Sequence, residues 1–128
     1  LDSRGQSSTA LTAVVDSAGV CLFTTFGIGV PQFTKFCNAA NGTTMSEEEL
    51  LEAGDRIYNL ERVFNLKAGI DPSQDKLPKR MIEEPLPDGP YKGQVCKLDQ
   101  MLPDYYDLRG WGIDGIPTEA KLQSLGLA

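Results

Sequence analysis

Along the middle of the chain, apolar and small residues recur at three- and four-residue steps. Leu50, Ala53, Gly54, Ile57, Leu60 and Phe64 form one stripe, which predicts an amphipathic helix serving as the packing spine. Its start is marked by Ser46-Glu47-Glu48-Glu49, a capping box. The Ser side chain accepts from the third backbone N–H, Glu49 reaches back, and the acidic charge faces the positive end of the helix dipole. Lys67-Ala68-Gly69 supplies a basic last turn and a glycine stop. Upstream, Ala10-Leu11-Thr12-Ala13-Val14-Val15, with Thr9 as N-cap, reads as a buried helix near residues 9–18. Gly19 interrupts it, and the apolar run continues to Phe26. Gly27-Ile28-Gly29-Val30-Pro31 then predicts an irregular turn, followed by a short helix from Pro31 to Ala40 that ends at Asn41-Gly42.

Beyond the spine the pattern changes. Pro72, Pro78, Pro85, Pro87 and Pro90 exclude helix interiors and central strands from residues 70–95, so this segment is predicted to run extended and to wrap the domain or a neighbouring one through Leu77, Met81, Ile82, Leu86 and Tyr91. Asp99 or Pro103 opens another helix through Leu108, Arg109-Gly110-Trp111-Gly112 breaks it, and Thr118 begins a last short one. Neither an internal repeat nor a sheet-forming alternation is present. The fold class expected is mainly α: an irregular helical domain with a long proline-rich extended connection.

Length and composition narrow the functions. At 128 residues the chain is one domain, residues 1–128, and 41% hydrophobic with 23% charged residues places it among ordinary folded proteins. Residues 1–8 are polar and turn-rich, as in a linker or cut edge. Leu1 is not an initiator Met, so the chain is expected to continue upstream. A formal charge of -6 with no basic stripe argues against nucleic acid, because phosphate binding needs clustered Lys and Arg. The apolar run around Val20-Cys21-Leu22-Phe23 is far shorter than the roughly 20 residues of a membrane span, and the N-terminus has no signal-peptide pattern. The expected location is cytoplasmic, without a membrane partner. Histidine is missing from the chain, which removes Ser-His-Asp and Cys-His catalysis and His-ligated zinc within it. The three cysteines, Cys21, Cys37 and Cys96, fit neither a disulfide framework nor a short-motif zinc site.

One constellation carries chemistry. Asp16-Ser17-Ala18-Gly19-Val20-Cys21 sets a carboxylate five residues before a thiol, in a segment that reads as buried. On an unbroken helix five residues turn roughly 140° away from the starting face, so both groups reach one ligand only if the backbone bends, and Gly19 supplies the bend. From spacing alone two readings stand: Asp16 caps a turn and Cys21 packs as a small hydrophobe, or Cys21 is a soft ligand for iron or another thiophilic metal. A single thiolate cannot hold a cubane cluster, so further cysteines would have to come from elsewhere. Cys37, among Phe33 and Phe36, and Cys96 read as packing residues. Asp55, Arg56, Glu61 and Arg62 read as a solvated or helix-contact face, and Tyr105-Tyr106 with Trp111 as core or interdomain packing.

Asp-x-x-Gly-Val-Cys followed by Leu22-Phe23-Thr24-Thr25-Phe26 resembles the second pterin-binding motif of tungsten aldehyde ferredoxin oxidoreductases, Asp-x-x-Gly-Leu-Cys, with Val20 in place of Leu. The similarity continues in order through Glu49-Leu50-Leu51, the run Gly54 to Asn65, the run Glu83 to Pro90, Tyr105 to Trp111 and Gly115-Ile116-Pro117-Thr118. The resemblance implies the C-terminal domain of a larger enzyme that oxidises aldehydes to carboxylic acids with ferredoxin as acceptor. It implies that Cys21 is the fourth ligand of a 4Fe-4S cluster whose other three ligands lie in an upstream Cys-x2-Cys-x3-Cys motif. Asp16 would bond the aminopyrimidine of one of two molybdopterin-type pterins that chelate tungsten, with the backbone at Gly19 and Val20 against that pterin. The catalytic acid-base residues would lie upstream, so none is assigned in this chain, and the isolated fragment would hold neither cofactor nor activity. Its partners would be the upstream domains, ferredoxin and the aldehyde. Two further readings are a stand-alone helical interaction domain that has lost the cofactor, and a family member with another substrate, such as an aromatic acyl-CoA reductase subunit.

Overall fold

The computed structural model describes residues 3–128, with side chains from residue 8 onward. The architecture is mainly α, as the pattern predicts: helices α1 (Ser3–Ser17), α2 (Val30–Asn41), α3 (Glu47–Lys67), α4 (Lys79–Glu83), α5 (Leu98–Arg109) and α6 (Glu119–Ser124). Among the described residues the sole β feature is a bridge pairing Trp111 with Pro117. Residues 3–8, expected as a linker, belong instead to α1. Once Ala10, Ala13, Val14 and Val15 are packed, each further residue adds a hydrogen bond at little cost, so the helix extends backwards through polar sequence. Leu1 and Asp2 lie outside the described residues.

The spine behaves as its caps dictate. Ser46 accepts from the Glu49 N–H at 3.1 Å while Glu49 accepts from the Ser46 N–H at 2.7 Å. α1 lies along α3 in the most extensive helix pairing of the fold. Its closest approach is at Gly54, where a Cβ would stand 2.1 Å from the Ala10 carbonyl oxygen. A first core gathers Val14, Val15, Phe33 and Leu50, with Leu11, Ile28, Val30, Cys37 and Met45 packed on it. Cys37 thus packs, as expected. α2 ends at Gly42 in the left-handed region, φ 67°, following the Asn41-Gly42 signal.

The predicted stripe is correct only over the first half of α3. Leu60 and Phe64 are 55% and 70% exposed, while Asp55 and Asn59 are buried. The second half of α3 turns a polar and aromatic face inward because its partners there are the side chains of α5 and of the turn after it. Arg109 is 1% exposed, and the Trp111 indole N–H donates to Asn59 Oδ1 at 2.8 Å.

The proline-rich connection divides in two. A 3-10 turn, Pro72–Gln74, brings Asp75 against α3 and α5. Beyond the short α4 the chain folds back on itself instead of wrapping this domain: the N–H of Leu86 donates to Gln94, that of Gly93 to Leu86, and that of Cys96 to Met81. Residues 83–94 are exposed throughout. Pro103 sits inside α5, and Thr118 caps α6 by accepting from the Lys121 N–H at 3.2 Å.

Candidate functional site

Asp16 occupies the last turn of α1, and the helix terminates just beyond it in a Schellman arrangement. The Val20 N–H reaches the Val15 carbonyl at 3.1 Å, and the Gly19 N–H reaches the Asp16 carbonyl at 3.1 Å. Gly19 is left-handed, φ 68°, a conformation that a residue with a Cβ adopts only at a cost. The bend expected between Asp16 and Cys21 is therefore a helix stop. Cys21 then caps a 3-10 helix, Leu22–Phe26.

The structure corrects the expectation that this segment is buried. Residues 16–23 are exposed without a break. The core-facing side of α1 is spent by Val15, and the Schellman stop directs the chain away from the core. Cys21 is an exposed free thiol, not a packed hydrophobe. Among the described residues the Asp16 carboxylate takes no hydrogen bond and caps no turn. A reachable thiol suits iron, and an uncommitted carboxylate suits amino and ring N–H donors. Among the described residues no group of three or more His, Cys, Asp and Glu is gathered for a metal ion. Chemically the donors fit one ligand and one acceptor of a larger site, and they do not make a site alone.

The other polar concentration lies between α3, α5 and the connection, around a cleft of about 330 Å³ lined in part by Tyr58, Arg62, Asp75, Leu102, Tyr105 and Tyr106. Arg62 Nη1 donates to Asp75 Oδ1 at 3.0 Å and Nη2 to Oδ2, Arg62 Nε donates to the Gly115 carbonyl at 3.1 Å, and the Tyr106 hydroxyl donates to Asp75 at 2.6 Å. The Arg62 guanidinium holds the Asp75 carboxyl below the ordinary carboxylate range, and Asp75 in turn raises Arg62. Burial, reinforced by the bond to Asp75, pushes the Tyr106 phenol up to about 12. Burial and the 2.8 Å contact with the Tyr105 hydroxyl likewise push Tyr58 up to about 12.

Behind this cleft Asp55 receives Lys121 and, at 3.5 Å, Arg109. Arg109 also lies over the Tyr58 ring at 4.3 Å and the Tyr105 ring at 5.4 Å, while its Nε and Nη2 meet no hydrogen-bond acceptor. Arg62, Asp75, Tyr106, Tyr58 and Tyr105 are thus committed to one another. Arg56 and Arg62, which the sequence reads as part of a solvated or helix-contact face, are engaged: Arg56 with Glu52 and the Leu125 carbonyl, Arg62 with Asp75. Sequence reasoning missed the Arg62–Asp75–Tyr106 clasp. The one signal for it is a lone Asp just after the Pro72 turn, too weak to name partners.

Residues 6–127 match the family model described as aldehyde ferredoxin oxidoreductase, domains 2 and 3. Two curated relatives named tungsten-containing aldehyde ferredoxin oxidoreductase, from Pyrococcus horikoshii and Pyrococcus abyssi, are each 57% identical over 118 residues, covering 91% of this chain and 19% of the relative. A protein of Pyrococcus furiosus named aliphatic sulfonate oxidoreductase, WOR-like subunit, is 33% identical over 135 residues, covering 99% of this chain and 22% of that one. The chain thus spans about a fifth of the length of the curated relatives it matches.

Proposed function

Because the chain belongs to the aldehyde ferredoxin oxidoreductase family, we propose that it is the C-terminal, cofactor-binding part of an oxidoreductase that converts aldehydes to carboxylic acids and passes the electrons to ferredoxin. The observation that carries this reading is the end of α1. There a carboxylate and a thiol, both exposed and uncommitted, stand on either side of a helix stop at the Asp-x-x-Gly-x-Cys positions.

In this reading Cys21 is the ligand that the chain gives to a 4Fe-4S cluster, with the other three thiolates supplied by an upstream part of the same polypeptide. Asp16 accepts hydrogen bonds from the aminopyrimidine of a molybdopterin-type pterin, and the Gly19–Val20 backbone lies against it. When bound, the tungsten-pterin and cluster pair supplies the two-electron oxidation and the outward electron transfer. The protein's part here is positional. Gly19 ends the helix, so Asp16 stands on a rigid element while Cys21 leaves it, and the backbone between the two is fixed by hydrogen bonds. No group of this chain moves a proton in the reaction. The acid-base residues belong to the upstream part, and a cytoplasmic location goes with exchange of electrons with ferredoxin.

In the full-length polypeptide, Cys21→Ser is expected to lower iron and acid-labile sulfide content, measured on the purified protein. Unchanged iron and sulfide would overturn the ligand assignment, whereas a parent polypeptide that itself carries neither iron nor sulfide would favour the cofactor-free interaction domain. Asp16→Asn keeps the shape and removes the charge, so pterin content is expected to fall while iron is retained.

A further inference from the structure

The 3-10 turn after Cys21 carries two phenylalanines in the open. Phe23 is 74% exposed and Phe26 87% exposed, their rings stacked at a centroid distance of 5.9 Å, with Val20 and Leu22 exposed beside them. The turn is not loose. The Cys21 carbonyl accepts from the Thr24 N–H at 3.0 Å and the Thr24 hydroxyl at 2.8 Å, and the Thr25 hydroxyl donates to the Leu22 carbonyl at 2.7 Å. The rings are thus presented as one body with the sulfur-bearing residue.

The sequence around them is without charge: from Ser17 to Thr34 there is no Asp, Glu, Lys or Arg, in a chain where 23% of residues are charged. Depletion of charge around exposed aromatics marks the core of an interface. Its occupant follows from the same place. If Cys21 is a cluster ligand, the part of the polypeptide that brings the other ligands arrives at residue 21, and the next five residues lie under it. The curated relatives are about five times as long as this chain, so a long stretch of polypeptide beyond these residues is there to do so.

We propose that Phe23 and Phe26 form the apolar shell on the Cys21 side of the cluster, seated against the upstream domain of the same polypeptide and keeping water from the iron. The proposal rests on the ligand reading above. An apolar shell controls solvent access and local dielectric, and through them cluster lability and potential.

The test uses the full-length enzyme with Phe26→Ser, Phe23→Ser and Phe26→Leu, and follows iron loss to a chelator and the cluster's reduction potential. Both Ser variants are expected to assemble a cluster that loses iron about tenfold faster, with a shifted potential, while Phe26→Leu stays near the parent because it remains apolar. Equal loss rates and potentials in parent and Ser variants would overturn the proposal, as would a Leu variant as labile as the Ser variants. Neither Phe contributes to the core of this domain, so the Ser variants should keep the parent's far-UV helical signal. Full iron and sulfide in Cys21→Ser would instead remove the ligand reading itself, a result that the phenylalanine variants cannot produce.

Discussion

Asp75 accepts from two donors on two helices, Arg62 of α3 and Tyr106 of α5, and so ties the connection to both. With a quarter of its side chain exposed, the pair is only partly screened, and Asp75→Asn is expected to cost about 1–2 kcal/mol in urea unfolding. The pH dependence follows from its lowered titration. An unfolded Asp titrates near 3.9; the folded group lies below that, so the contribution is complete above this value and is lost as pH falls through the folded one. Asp75→Asn should flatten the acid limb of the stability curve. At the other end, Tyr58 and Tyr106 are raised to about 12, so the stability they contribute is present below pH ~10 and lost as pH climbs towards 12. Phenolate absorbance against pH checks this, and a titration of both groups near pH 10 would sink it.

At the scale of elements, the signals that worked were local. The Ser46–Glu49 box and the Asn41-Gly42 stop work through neighbouring backbone, and both are found where the sequence places them. What failed was nonlocal. Leu60 and Phe64 look like core because the helical period continues, yet the face that is buried is the one that Arg109 and Trp111 occupy, some fifty residues away. The apolar run around Cys21 suggests burial for a related reason, whereas residues 16–23 are exposed beyond the helix stop. Asp16 and Cys21 were nameable as candidates by their types and spacing, while their exposure and freedom from partners were not. The α1–α3 contact is the element-scale prediction. Gly54→Ala drives a Cβ into the Ala10 carbonyl, which a helix backbone cannot move aside, and should destabilise the domain by about 1–3 kcal/mol in thermal or urea unfolding.

For the molecule as a whole, two regions divide the work: one aliphatic core under α1, α2 and α3, and one polar-aromatic centre under α3, α5 and α6, with the exposed Asp16–Phe26 end projecting from the first. Among the described residues no helix is long and apolar enough to cross a membrane, so the projecting apolar turn is not part of a helical span. Gly54 acquires a second meaning at this scale. α1 is a lever whose fulcrum is the Ala10–Gly54 contact, and Asp16 lies six residues along it, about 9 Å at 1.5 Å per residue. A methyl group at the fulcrum tips the arm, so the Asp16 carboxylate and the Cys21 sulfur lose their aim together. A glycine on another helix thereby sets where both groups stand.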